Sequence, residues 1–179
     1  MREVSKKRVT CFKNPDDMET AQLQQEKTEA LSDYELERGK PMPSKNHAIV
    51  QSNLTFALMS GYRQQYRILP ELTLEFDRRY VPDICIYPNQ PYEREHDQIR
   101  VTEPPLTAIE ILSPKQNADE IMEKFDVYFG VGVKSCWFVM PPTDTVFILT
   151  PDRKIQVFHD ETLTDAATGI SIDLKEVFC

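Results

Sequence analysis

The chain is short of the residues that mark the commonest cofactor and metal folds. Of 179 residues only five are glycine, and none stands in a spacing that cradles a phosphate, which excludes a P-loop or a dinucleotide-binding crossover. Cys11, Cys85, Cys136 and Cys179 are scattered without a Cys-x-x-Cys pair, so zinc-ribbon and disulfide-scaffold readings drop out. There is no hydrophobic leader, long apolar run, internal repeat or low-complexity tract; the expectation is a reduced, soluble, cytoplasmic protein with no membrane partner. Positive charge is also scarce: 21 Lys+Arg against 29 Asp+Glu give −8. That balance argues against a protein that coats nucleic acid or anionic membrane, while leaving room for a local basic cleft.

What is present suffices for one core, since 40% of residues are hydrophobic and 28% charged. Residues 1–33 carry few large apolar side chains, too few to offset their ordering entropy, and read as a polar N-terminal arm, partly mobile or helical, with a helix near 18–31. The folded domain is expected over 34–179. Ser44 suits the N-cap of a helix over about 45–60, with Val50, Leu54 and Leu58 on one face, His47 on that same face, and Gly61 as a stop. ELTLEF (71–76) alternates like a half-buried strand, and YVPDICIYP (80–88) reads as its neighbour across a polar turn. Residues 89–105 are charged and proline-bearing, as in a long surface loop. LTAIEIL (106–112) is apolar at nearly every position, the pattern of a strand buried on both faces. A helix over about 118–130 follows, closed by Gly130 or Gly132. SCWFVM (135–140), TVFILT (145–150) and short strands at 155–158 and near 170–174 complete a mixed α/β or α+β layout, a central mixed β-sheet flanked by helices.

Inside this apolar pattern stand two carboxylates, Asp83 in VPDICIY and Glu110 in LTAIEIL. Burying a lone carboxylate is costly unless it is paired, neutralised or bound to a cation. Each could instead emerge at a strand end and meet water or an arginine. If both emerge at one edge of the sheet, they form an oxygen-rich pocket suited to Mg²⁺ or Mn²⁺, with the Ile111 carbonyl as a further ligand. Lys124 lies about 60° from Ile121 around the following helix and one turn before Tyr128, where it could run its methylenes along the core and present its ammonium at the sheet end, or simply be solvated. Lys115, in the turn, is a more loosely tethered competitor. His47 could hydrogen-bond a ligand or be a core histidine satisfied by a carbonyl. Neither His96 nor His159 is assigned a role. Arg63, Arg67, Arg78, Arg79 and Arg94 could contact phosphates, although acidic neighbours dilute each cluster.

These residues carry a family resemblance. Pro82-Asp83, Glu110-Ile-Leu-Ser-Pro114, Lys124 followed by Tyr128, Gly132-Val133 and Trp137 to Pro141, preceded by Tyr34, Glu35, Gly39, Pro43 and His47, together resemble the PD-(D/E)XK nuclease superfamily, and specifically its bacterial Uma-type putative restriction endonuclease family. The likeness runs from about residue 34 to the C-terminus. It implies a restriction-endonuclease-like core in which Asp83 and Glu110 hold a divalent metal for DNA phosphodiester hydrolysis. The superfamily's lysine would fall at 112, where this chain has Leu112; in this branch the lysine moves to the following helix, which selects Lys124 over Lys115. No acid fills the first-helix position, so Glu35, Glu37 and His47 compete for that supporting role, with Glu35 and His47 ranked first. The expected partner is DNA, bound weakly and in a salt-sensitive way by the monomer, aided by the metal and by a homodimer whose two clefts share a duplex. The competing reading is a catalytically inactive interaction or regulatory protein on the same fold.

Overall fold

The computed structural model describes residues 42–179 apart from Glu93, His96 and Lys115; the expected arm, Glu35, Glu37 and Lys115 lie outside the described residues. In chain order the elements are α1 (Lys45–Tyr62), β1 (Tyr66–Pro70), β2 (Leu74–Glu75), β3 (Arg79–Tyr80), β4 (Ile84–Pro88), β5 (Thr107–Ile111), α2 (Ala118–Val131), β6 (Ser135–Met140), β7 (Thr145–Leu149), β8 (Ile155–His159), β9 (Thr162–Asp165) and β10 (Ile170–Asp173). Six of the strands form one sheet in the order β1-β4-β5-β6-β7-β8. β5 and β6 are parallel, joined across α2, and every other neighbouring pair is antiparallel. This is the expected mixed α+β architecture with a central mixed sheet.

Local chemistry sets the ends of both helices. The Ser44 hydroxyl accepts from the His47 N–H at 3.2 Å, capping α1 as its sequence suggests. Gly61 is not the stop: α1 runs one residue further, and the Arg63 N–H closes onto the Met59 carbonyl. Asn117 caps α2 through the Asp119 N–H, and Gly132, at φ 109°, terminates it, with its own N–H on the Phe129 carbonyl and the Val133 N–H on the Tyr128 carbonyl.

Alternation along β5 divides the core. Ile109 and Ile111 join Trp137, Val139, Val50, Leu54 and Leu58 under α1, where the β9–β10 hairpin also packs through Leu163, Ile170 and Ile172. Ala108 joins Cys136, Phe138, Ile121, Phe125 and Tyr128 under α2. Glu110 shares the Ala108 side of the pleat, and β5 is buried along its whole length.

The strand neighbours differ from expectation around residues 66–80. β4 pairs with β1, register Ile68 to Ile86, rather than with the 71–76 segment. That segment keeps only Leu74 and Glu75 as strand, paired with Tyr80 and Arg79. The reason is local: Glu71 sits at φ 56° and the Phe76 N–H turns onto the Arg78 carbonyl, which bends the chain before a longer ladder can form.

Candidate functional site

Asp83 immediately precedes β4, and Glu110 is next to last in β5. The register Ile84 to Ile109 therefore sets Asp83 opposite Glu110 at one end of the sheet. Both are buried, Asp83 2% and Glu110 1% exposed, in surroundings that give an ion almost no help from water. Each is compensated by a basic side chain, and the two come from different helices.

From α1, His47 Nε2 approaches Asp83 Oδ2 at 3.2 Å, and the same oxygen accepts the Ile111 N–H at 2.6 Å. Ile111 thus meets Asp83 through its N–H. The second imidazole nitrogen, His47 Nδ1, is buried without a hydrogen-bond partner. One turn on, the Gln51 side-chain amide donates to the Asp83 carbonyl at 3.0 Å and to Glu71 Oε1 at 2.9 Å. The Glu71 N–H also donates to the Asp83 carbonyl, at 3.2 Å. The first two turns of α1 consequently hold Asp83 at both ends, carboxylate and backbone.

From α2, Lys124 Nζ donates to Glu110 Oε2 at 3.0 Å and Tyr128 Oη donates to Oε1 at 2.8 Å. Lys124 remains 12% exposed beside a carboxylate that is 1% exposed, so its stem crosses the apolar layer while its ammonium stays near the surface. Burial, then the Glu110 charge, then the bond to Glu110 hold the Tyr128 phenol well above its ordinary range. It is a fixed donor that orients Glu110. Cys136 is likewise held protonated by burial and by the Glu110 charge, which makes it a core filler rather than a ligand.

Tyr128 packs edge-on against Tyr80, with ring centroids 5.5 Å apart. The Arg78 guanidinium lies 5.1 Å over the Tyr80 ring and donates to its hydroxyl. Of the arginines considered for phosphate contacts, Arg78 is the one joined to Glu110 through a chain of aromatic contacts. Arg67 is engaged with the Gln90 carbonyl at 2.6 Å. His159 lies on β8, with Nδ1 near the Asp144 carbonyl.

The arrangement brings together Asp83, Glu110, Lys124 and His47, all singled out from sequence. Gln51, Glu71 and the orienting role of Tyr128 were not anticipated; the signal for Gln51 was its i+4 spacing from His47. Among the described residues no group of three or more His, Cys, Asp or Glu side chains could hold a metal ion. The oxygen-only pair Asp83 and Glu110 fits a hard divalent cation, whose remaining ligands would be main-chain oxygen, water or substrate. Also among the described residues, no helix is long and apolar enough to cross a membrane.

A family model described as Uma2, putative restriction endonuclease, matches residues 4–175, taking in most of the segment read as an arm. A putative nuclease belonging to DUF820 from Anabaena variabilis ATCC 29413 superposes with a TM-score of 0.66 at 25% identity, over 77% of this chain and 83% of that one. That likeness agrees with the restriction-endonuclease-like core expected from the motifs. No curated protein matches.

Proposed function

We propose, from the premise that the chain belongs to the Uma2 family of putative restriction endonucleases, that it is a nuclease and hydrolyses DNA phosphodiester bonds with the help of Mg²⁺ or Mn²⁺. The observation that carries this reading is the pairing of two buried carboxylates on facing chain segments with basic groups from opposite helices, Asp83 with His47 and Glu110 with Lys124. A structural core has no need of four such groups at one sheet end.

Asp83 and Glu110 would hold the cation, with the Ile111 carbonyl as a third oxygen. A bound divalent cation polarises the scissile phosphate and lowers the pKa of a water. Lys124 has two further N–H donors beyond the one on Glu110, and these would orient the attacking water or offset negative charge growing on the phosphoryl oxygens. Tyr128 keeps Glu110 from rotating. His47 and Gln51 fix the carboxylate and the carbonyl of Asp83. Arg78 would contact a backbone phosphate of the duplex.

Cleavage of supercoiled and linear DNA in Mg²⁺ or Mn²⁺ tests the reading. The wild type should nick, chelator should stop it, and Glu110→Ala should lower the rate by at least about 100-fold. Equal, chelator-insensitive background in both proteins would sink the proposal. One observation favours a second reading, a catalytically inactive interaction protein: both Glu110 oxygens already have internal donors, Tyr128 and Lys124. That reading expects DNA or partner binding with no metal-dependent strand breaks.

A further inference from the structure

The six-stranded sheet ends on β8, and among the described residues no strand lies on its outer side. The edge is apolar where edges are usually charged: Ile155 and Val157 are 56% and 54% exposed. Both lie opposite apolar residues of β7, Leu149 and Phe147, and so extend the α2 side of the sheet. The opposite edge, β1, differs in ending on Pro70; left-handed residues bound both edges, Glu71 after β1 and Arg153 and Asp160 on either side of β8.

The direction of the β8 backbone follows from its hairpin. The Thr150 N–H donates to the Lys154 carbonyl at 3.1 Å. Antiparallel alternation then turns the main-chain groups of Gln156 and Phe158 toward β7 and those of Ile155, Val157 and His159 outward. The outward set is symmetric about Val157, and so is the charge around it. The segment reads Arg153-Lys154-Ile155-Gln156-Val157-Phe158-His159-Asp160-Glu161, bases at one end and acids at the other. Laying Ile155–His159 against a copy of itself, antiparallel and centred on Val157, brings the basic end of each copy, Arg153 and Lys154, to the acidic end of the other, Asp160 and Glu161; Arg153 and Asp160 are left-handed, so these charges meet at the ends of the ladder rather than within it. Ile155 then faces His159 and Val157 faces Val157. Any other register loses part of that match.

We propose that β8 is a self-recognition edge, on which a second copy of this chain adds its own β8 antiparallel about a two-fold axis at Val157, joining the two sheets into one. Ile155, Val157 and His159 of each copy exchange main-chain hydrogen bonds, and the exposed Ile155 and Val157 side chains of both copies form one apolar strip. The end charges, now spent on exposed pairs with Asp126 and Asp152 that are worth little, fix the register and reject parallel pairing. This inference stands apart from the nuclease reading, because it uses none of the residues at the Asp83 end.

Sedimentation and light scattering of the full chain provide the test. The wild type should be a dimer that dissociates as salt rises. Val157→Pro removes only an outward N–H and should weaken the dimer by at least about tenfold, with the far-ultraviolet spectrum and melting transition retained. Because that variant could still disturb β8, two charge variants supply an independent arm. Arg153→Glu/Lys154→Glu is acidic at both ends, Asp160→Asn/Glu161→Lys is basic, each alone should be monomeric, and their mixture should restore dimers. A monomeric wild type would overturn the proposal. So would a dimer indifferent to Val157→Pro, or two charge variants that fail to complement.

Discussion

Strand β5 carries a buried polar cluster at each end, and the two are built on opposite plans. At its start, Thr107 faces Ser135 across the parallel register of β5 and β6, and both stand beside the carboxyl group of Asp165, which is 0% exposed. Asp165 Oδ2 accepts from Ser135 at 2.7 Å, Trp137 at 3.1 Å and Thr168 at 3.2 Å, while Oδ1 accepts the Ala167 N–H at 2.9 Å. The Thr107 hydroxyl shares a hydrogen bond with Ser135 at 2.7 Å and reaches Asp165 Oδ2 at 3.3 Å. Each of these donors is uncharged and none is a long flexible chain. At the other end, Glu110 and Asp83 meet Lys124 and His47, which are ionisable, and one of them reaches toward solvent. Neutral donors on rigid elements lock the β9–β10 turn to the sheet. Ionisable donors at the far end compensate charge yet can be displaced when a cation or phosphate arrives.

This contrast predicts opposite balances of stability and activity. Asp165→Ala strands the fully buried Ser135 and Trp137 donors and should cost about 3 kcal/mol or more, read as a lowered denaturant midpoint. Glu110→Gln keeps an acceptor for Tyr128 and leaves Lys124 free to reach water; it should cost less than about 1.5 kcal/mol while abolishing metal-dependent cleavage. If Glu110→Gln proved the more destabilising of the two, the division between a locking end and a working end would be wrong.

The working end was largely legible in sequence because a carboxylate inside an unbroken apolar strand violates the pattern around it, and Asp83 and Glu110 both do. Helical spacing made Lys124 a candidate once α2 was placed, and the family resemblance chose it over Lys115. Asp165 escaped notice for the converse reason: in Thr-Asp-Ala-Ala-Thr-Gly it looks like any polar turn residue, and only the fold brings Trp137 and Ser135 to it. β1 was missed because Arg67 interrupts the apolar positions and Pro70 shortens them, so its strand state comes from pairing with β4 rather than from its own pattern. The length of the 71–76 strand was overestimated because the alternation of Leu72, Leu74 and Phe76 does not reveal the turn at Arg78 that cuts it short.

The face of the sheet that carries Glu110 also responds to alkali. Tyr128 and Cys136 belong to the Glu110 side of the sheet, and both are held above their ordinary values of 10.0 and 9.0. The unfolded chain releases these protons near the ordinary values while the folded chain keeps them, so the unfolded state binds fewer protons and stability falls as pH rises past them. Each group adds a slope of up to about 1.4 kcal/mol per pH unit. Tyr128→Phe should be less stable at neutral pH, having lost its bond to Glu110, yet its decline above pH 10 should be shallower than that of the wild type. Denaturant melts across that range check it, and parallel curves for the two proteins would mean that Tyr128 does not hold its proton in the fold.

The smallest effect expected is the one that tests whether the Asp83 half is a positioning device. Gln51 donates both to the Asp83 carbonyl, which also accepts the Glu71 N–H, and to Glu71 Oε1, so Gln51→Ala leaves the Asp83 carbonyl with a donor and takes one from the part-buried Glu71 carboxylate. The stability cost should be about 2 kcal/mol or less, the net worth of two part-buried hydrogen bonds. Asp83 would nevertheless lose one of the groups that fix its backbone while His47 still holds its carboxylate, and a carboxylate on a looser tether spends more of its binding free energy on ordering. Calorimetric titration with Mn²⁺ should therefore show an affinity several-fold weaker than wild type at a modest cost in stability. A large stability loss would place Gln51 with Asp165 as part of the lock, and an unchanged Mn²⁺ affinity would show that His47 and the Ile111 N–H suffice to hold Asp83.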